Sequence, residues 1–223
     1  MDGGRSGRWL ELDPVALCGG TLDDRHGWRF DAVDIPTDWT EQRALENRGH
    51  HGTLTQLRDL EASLPFAWLG VDSDNGGEFI NHHVAAWTGP RPQPVRFPRA
   101  RPCHKNDNAH VEQRNWTQVR QPLGCERYDN PPVAPLINAL CQGALGQLQN
   151  HFLPTHKLEK KERKEGRTVR ICGEAQTPLA RVLAAPEVAA QKKIQLRQEQ
   201  ARLHPFQLRR DIERQKKQIE ANR

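Results

Sequence analysis

Three acidic residues stand where a carboxylate can do chemistry. Asp13 falls inside Arg8 to Leu17, a stretch that alternates apolar and polar as a strand does. Asp74 lies in the polar turn Asp72-Ser73-Asp74-Asn75-Gly76-Gly77, directly after the apolar run Phe66-Ala67-Trp68-Leu69-Gly70-Val71. Glu112 stands near the start of a helix expected over Ala109 to Leu123. Acidic side chains brought together repel one another, and a divalent cation relieves the repulsion. Oxygen donors favour Mg²⁺ or Mn²⁺ over Zn²⁺. Two such ions about 3.5–4 Å apart activate an attacking oxygen and stabilise a leaving one in phosphodiester chemistry. Taken singly, each acid also has an ordinary role: a solvent-facing strand residue, a turn residue, or a first-turn acid favoured by the helix dipole.

The elements that must position them can be read along the chain. Strands are expected at 8–17, at 28–34 and from Trp39 to Gln42. A helix is expected from Arg43 to Leu64, where Leu54, Leu57, Leu60 and Leu64 recur at helical spacing and Gly49 and Gly52 weaken the middle. The run 66–71 reads as a buried strand and Glu78 to Trp87 as a short helix. A Pro- and Arg-rich connection, Gly89 to Pro102, surrounds a short strand at Val95-Arg96-Phe97. Asn106, Asp107 or Asn108 caps the helix that carries Glu112, and Pro131-Pro132 opens another running to Asn150. This order indicates an α/β domain over 8–152. Residues 153–223 read as a basic, mostly helical C-terminal extension, with a charge run at Lys157 to Arg170 and breaks at Pro186 and Pro205. Its last segment, Gln207 to Arg223, reads as a solvated helix with little to bury.

Composition bounds the function. The chain has 223 residues, 35% hydrophobic and 27% charged, with a formal net charge of +5. Residues 1–90 hold seven Lys and Arg against fifteen Asp and Glu, a net of −8; residues 91–223 hold 26 against 13, a net of +13. An acidic front and a basic back suggest nucleic-acid contact, and the plainer alternative is a basic, solvated helical tail. No stretch approaches the roughly 18 apolar residues of a membrane span, and no apolar segment follows Met1 as in a secretory signal, so a cytoplasmic protein is expected. The five cysteines are scattered without a C-x-x-C pair, which argues against a disulfide scaffold or a zinc ribbon. The pairs His50-His51 and His82-His83 have no cysteines at matching spacing, so no zinc site is read.

The stretch Gly70 to Asn81 resembles the second-aspartate motif of DDE transposases and retroviral-type integrases. The stretch Arg99-Ala100-Arg101-Pro102-Cys103-His104-Lys105-Asn106-Asp107-Asn108-Ala109-His110-Val111-Glu112-Gln113-Arg114-Asn115-Trp116 is similar to the glutamate motif of a bacterial insertion-sequence branch of that family. The resemblance continues through Arg127-Tyr128-Asp129, Asn150-His151-Phe152 and Lys157-Leu158 to Thr177-Pro178. Leu10 to Asp13, Cys18-Gly19-Gly20, Val33-Asp34 and Trp39-Thr40-Glu41 fit the same branch, so the match covers most of residues 9–183.

The resemblance implies a ribonuclease-H-like mixed sheet flanked by helices, an integrase catalytic domain at 8–152, and a catalytic and metal-binding triad of Asp13, Asp74 and Glu112. It implies two Mg²⁺ or Mn²⁺ ions, cleavage at a transposon end, and attack of the freed 3′-hydroxyl on target DNA. Its implied partners are transposon-end and target DNA, with homo-oligomeric assembly on the DNA, no membrane contact, and a cytoplasmic, nucleoid-associated location. Arg99, Arg101 and Lys105 form a basic loop suited to phosphate contacts, and Gln113 and Asn115 are helix residues that can touch DNA.

The sequence also departs from the pattern. The first strand begins about eight residues after Met1, which leaves no room for the usual helix-turn-helix region and suggests a truncated copy that binds transposon ends with little sequence specificity. Pro14 follows Asp13 in a strand expected to be central, where proline removes a ladder hydrogen bond. Leu17 stands where a polar residue is expected, and Asp38 where glycine is expected. Two alternatives therefore stay open: an inactive remnant that only binds DNA, and a ribonuclease-H-like nuclease with other substrates.

Overall fold

The computed structural model describes residues 8–20, 26–46, 49–73, 87, 95, 123–124, 126–164 and 167–223. These residues form a mixed α/β fold around a four-stranded mixed sheet. Strands β1 (Trp9–Leu17), β2 (Gly27–Asp34) and β3 (Thr40–Leu45) form an antiparallel meander, and β4 (Gly70–Ser73) adds to the free side of β1 in parallel. The order across the sheet is β3-β2-β1-β4. Helix α1 (His50–Ser63) makes the crossover from β3 to β4.

Alternation along β1 divides the sheet's two faces. Leu10 and Leu12 point into a first core with Phe30 and Ala32 of β2, Leu57 and Leu60 of α1, and Val71 of β4. Leu17 enters a second core on the opposite face with Ala44 of β3. Helix α2 (Val133–Leu140), a π-helical turn (Cys141–Leu145) and helix α3 (Gly146–Phe152) cover that face through Val133, Ile137, Leu140 and Leu148. Sequence periodicity suggests one continuous helix here. Gly143 instead adopts φ −94 and ψ −118, outside the helical region, and breaks it.

Three expectations are corrected. The helix expected from Arg43 begins at His50, because Gln42 to Leu45 pair with Trp28 to Asp31 and lengthen β3. The strand expected over 66–71 is β4 at Gly70–Ser73. It starts at Gly70, where a Cβ would lie 2.6 Å from the Trp9 ring, so only glycine lets these strands approach. The charge run Lys157 to Arg170 forms a hairpin of β5 (Leu158–Lys164) and β6 (Arg167–Cys172).

The chain after 152 packs onto the sheet's helices. Helix α4 (Pro178–Ala184) and helix α5 (Ala190–Arg202) place Leu179, Val182 and Leu196 in the first core. Helix α6 (Pro205–Ala221) places Leu208, Ile212 and Ile219 in the second, so it is not the solvated helix its composition suggested. Eight charged residues obscure a narrow apolar stripe at positions 208, 212 and 219, which is enough to dock a helix of this length.

Pro14 costs the β1–β2 ladder nothing. Trp9 C=O accepts from Ile35 N on the β2 side, and Arg8 C=O accepts from Leu69 N and Gly70 N on the β4 side. The β1–β2 register runs without a shift, so even-numbered residues turn their backbone groups toward β4. Pro14 therefore points its nitrogen away from β2, two residues past Leu12, the last described residue of β1 paired with β4.

Candidate functional site

Asp13 sits mid-way along β1, half-buried, directly opposite Asp31 of β2. Alternation puts Glu11, which is 4% exposed, on the same face. Glu11 pairs in turn with Asp72 of β4. Of the residues singled out by sequence, Asp13 is described here. Asp74, Glu112, Arg99, Arg101, Lys105, Gln113 and Asn115 lie outside the described residues, as do the helices expected at 78–87 and 109–123 apart from Trp87 and Leu123.

The structure adds an ion pair beside Asp13 that sequence reasoning missed. Arg29 and Asp31 are both buried, with Arg29 Nη2 donating to Asp31 Oδ2 at 3.0 Å and Nε lying 2.9 Å from Oδ1. Burial raises the Asp31 carboxyl above its usual range, and the Arg29 charge and hydrogen bond oppose that rise. The signal was present in Arg29-Phe30-Asp31. Within a strand, residues two apart share a face, so an Arg-x-Asp on a buried face has reason to pair. Cys141 packs near this pair, and burial pushes its thiol up to about 11, which leaves it protonated and inert.

A second network ties the β2–β3 turn to the rest of the fold. Asp34, fully buried, accepts from Arg8 Nη1 at 2.8 Å, from Thr37 N at 3.1 Å and from the Thr37 hydroxyl. Burial raises its pKa, and Thr37 and Arg8 counter the rise. Asp38 has φ +66, a left-handed conformation that explains why glycine is expected at this position. Here the aspartate takes on a second task. Its carboxylate meets Lys157 Nζ at 2.5 Å, Arg181 Nη1 at 2.8 Å and the Thr155 hydroxyl at 2.6 Å. Asp38 is thus a clamp for the segment after 152.

Two asparagines hold the outer strand. Asn150 Oδ1 accepts from Thr40 N and its Nδ2 donates to Thr40 O, both at 2.9 Å. Asn138 does the same at Ala44, at 2.7 and 3.0 Å. The carboxamides satisfy backbone groups of β3 that no further strand pairs among the described residues, which closes that edge of the sheet. Leu17, where a polar residue is expected, is buried in the second core.

Next to this edge, His151 is 3% exposed, stacks edge-on against Trp39 and has Nε2 4.0 Å from Glu199. Burial lowers its pKa, and Glu199 counters in part. Among the described residues there is no group of three or more His, Cys, Asp or Glu that could hold a metal ion. Also among them, no helix is long and apolar enough to cross a membrane.

No protein-family model matches the chain. Over 180 residues it is 32% identical to a protein described as "uncharacterized protein y4rM" of Sinorhizobium fredii (strain NBRC 101917 / NGR234). The match takes in 78% of this chain and 49% of that protein, so the chain spans about half the length of this curated relative.

Proposed function

We propose that this chain carries a DDE-type transposase or integrase catalytic domain with a ribonuclease-H-like core, acting in DNA transposition and integration. The observation that carries the reading is a register. The β1–β4 pairs Trp9 with Gly70, Leu10 with Val71, Glu11 with Asp72 and Leu12 with Ser73 all differ by 61 in sequence. Asp13 and Asp74 also differ by 61. Continued by one step, the same parallel ladder would set Asp74 opposite Asp13. The order β3-β2-β1-β4, with two antiparallel pairs and one parallel pair joined through α1, supports the same core.

The donors suit the metal. Asp13 is a half-buried carboxylate on β1, and its proposed partners Asp74 and Glu112 are also oxygen donors. These three would hold Mg²⁺ or Mn²⁺, which when bound supplies charge stabilisation at the attacking and leaving oxygens of a phosphodiester. Arg29 neutralises Asp31, so the carboxylate directly opposite Asp13 across the ladder is already paired. Arg99, Arg101 and Lys105, with Gln113 and Asn115, hold the DNA, and copies of the chain assemble on it. The site of action is the cytoplasm, at the nucleoid.

The test is nicking and strand transfer on duplex DNA with Mg²⁺ or Mn²⁺. Asp13→Asn, Asp74→Asn and Glu112→Gln each abolish both reactions. Activity that survives all three substitutions rules the reading out.

A further inference from the structure

We infer that the outer face of α6 is a binding surface for the phosphate backbone of duplex DNA, separate from the carboxylate site and independent of it. The helix lays Leu208, Ile212 and Ile219 into the second core. Its other side presents Arg209, Arg210, Glu213, Arg214 and Lys217 around one open hollow. Arg214 is paired with Asp211 at 2.6 Å, and Glu213 with Lys216 at 3.5 Å. Arg209, Arg210 and Lys217 form no ion pair among the described residues. Three cations that no described residue neutralises therefore share one exposed side.

Phe206 extends this side by one turn. It is 68% exposed and stands 5.8 Å, ring to ring, from His204. From Phe206 to Lys217 the helix rises about 16 Å, a length over which duplex DNA presents on the order of ten phosphate charges. Guanidinium groups fit phosphate oxygens in pairs, and an exposed ring beside them has a π-face to offer. An anionic membrane surface is the competing polyanion. A helix that lies on a membrane needs its apolar stripe free, and the stripe of α6 is spent inside the protein. The free charge without a free apolar face favours nucleic acid.

The experiment is fluorescence anisotropy with a labelled 20-base-pair duplex of arbitrary sequence, in EDTA, across a salt series. EDTA removes divalent ions, so the result is read apart from any cleavage and stands whether or not Asp13 holds a metal. Full-length wild type binds with a strong salt dependence. The variant carrying Arg209→Gln, Arg210→Gln and Lys217→Gln binds about tenfold or more weakly, and its log–log salt slope shrinks by about 2.7, near 0.9 per lost contact. An unchanged thermal melt shows that this variant is folded. No duplex binding by wild type, or wild-type affinity and slope in the triple variant, overturns the inference. So does equal, charge-dependent binding of wild type to phosphatidylserine vesicles.

Discussion

Asp13 and Asp31 stand directly opposite one another in the β1–β2 ladder, and Arg29, 2.9 Å from Asp31, neutralises the second of them. Breaking that ion pair strands a fully buried guanidinium. We predict that Asp31→Asn costs about 3–5 kcal/mol in urea denaturation at neutral pH. The double change Arg29→Met with Asp31→Leu removes both charges and restores most of that loss. A single variant as stable as wild type contradicts the pairing.

The asparagine clamps carry a similar prediction at the sheet edge. Asn150→Ala removes two hydrogen bonds and leaves both backbone groups of Thr40 buried without them. The expected loss is about 2 kcal/mol, and Asn138→Ala, where the asparagine itself is only half-buried, costs somewhat less. Amide hydrogen exchange at Thr40 should quicken in the first variant and at Ala44 in the second.

At Asp38 the backbone and the side chain make separate contributions. Asp38→Gly keeps the left-handed conformation without strain but loses Lys157, Arg181 and Thr155. Asp38→Ala loses the same partners and adds strain. Alanine should therefore be the worse substitution by about 1 kcal/mol, measured by chemical denaturation. Glycine equal to alanine would mean that the turn does not need a positive φ.

His151 makes stability depend on pH. Its folded pKa lies below 6.5, so the folded protein binds fewer protons there than the unfolded chain. Its contribution is complete above about 6.5 and is lost as pH falls toward the depressed value. The groups around it are the Trp39 ring, Glu41, Lys192 and Glu199. The melting temperature should fall on acidification below pH 6.5, less so in His151→Gln. Glu199→Gln, which removes the charge that favours protonation, should steepen the fall.

Much of this architecture was legible in the residues. Period-two alternation marked β1 and β2 closely, and the Leu57 and Leu60 spacing marked α1. The limits of β3 and α1 were not legible, because Arg43, Ala44 and Leu45 suit a helix as well as a strand and only pairing with β2 decides between them. The β5–β6 hairpin was hidden for a related reason. Its residues are chiefly Lys, Arg and Glu, with almost no apolar alternation to show a strand. The second core's share of α6 escaped because the three apolar residues it buries, in a helix of seventeen, barely register in composition. Asp13 was singled out correctly as a strand-embedded acid, whereas the tasks of Asp38, Asn138 and Asn150 depend on partners about 94 to 143 residues away.

The central claim is that Asp13 and Asp74 share a divalent cation, and Mn²⁺ binding tests it most directly. Calorimetric titration of the full-length protein with Mn²⁺ should show binding that is lost in Asp13→Asn and in Asp74→Asn, with the fold of each variant confirmed by its circular dichroism. Binding that neither substitution alters, or no binding in wild type, contradicts a shared metal site at these two carboxylates.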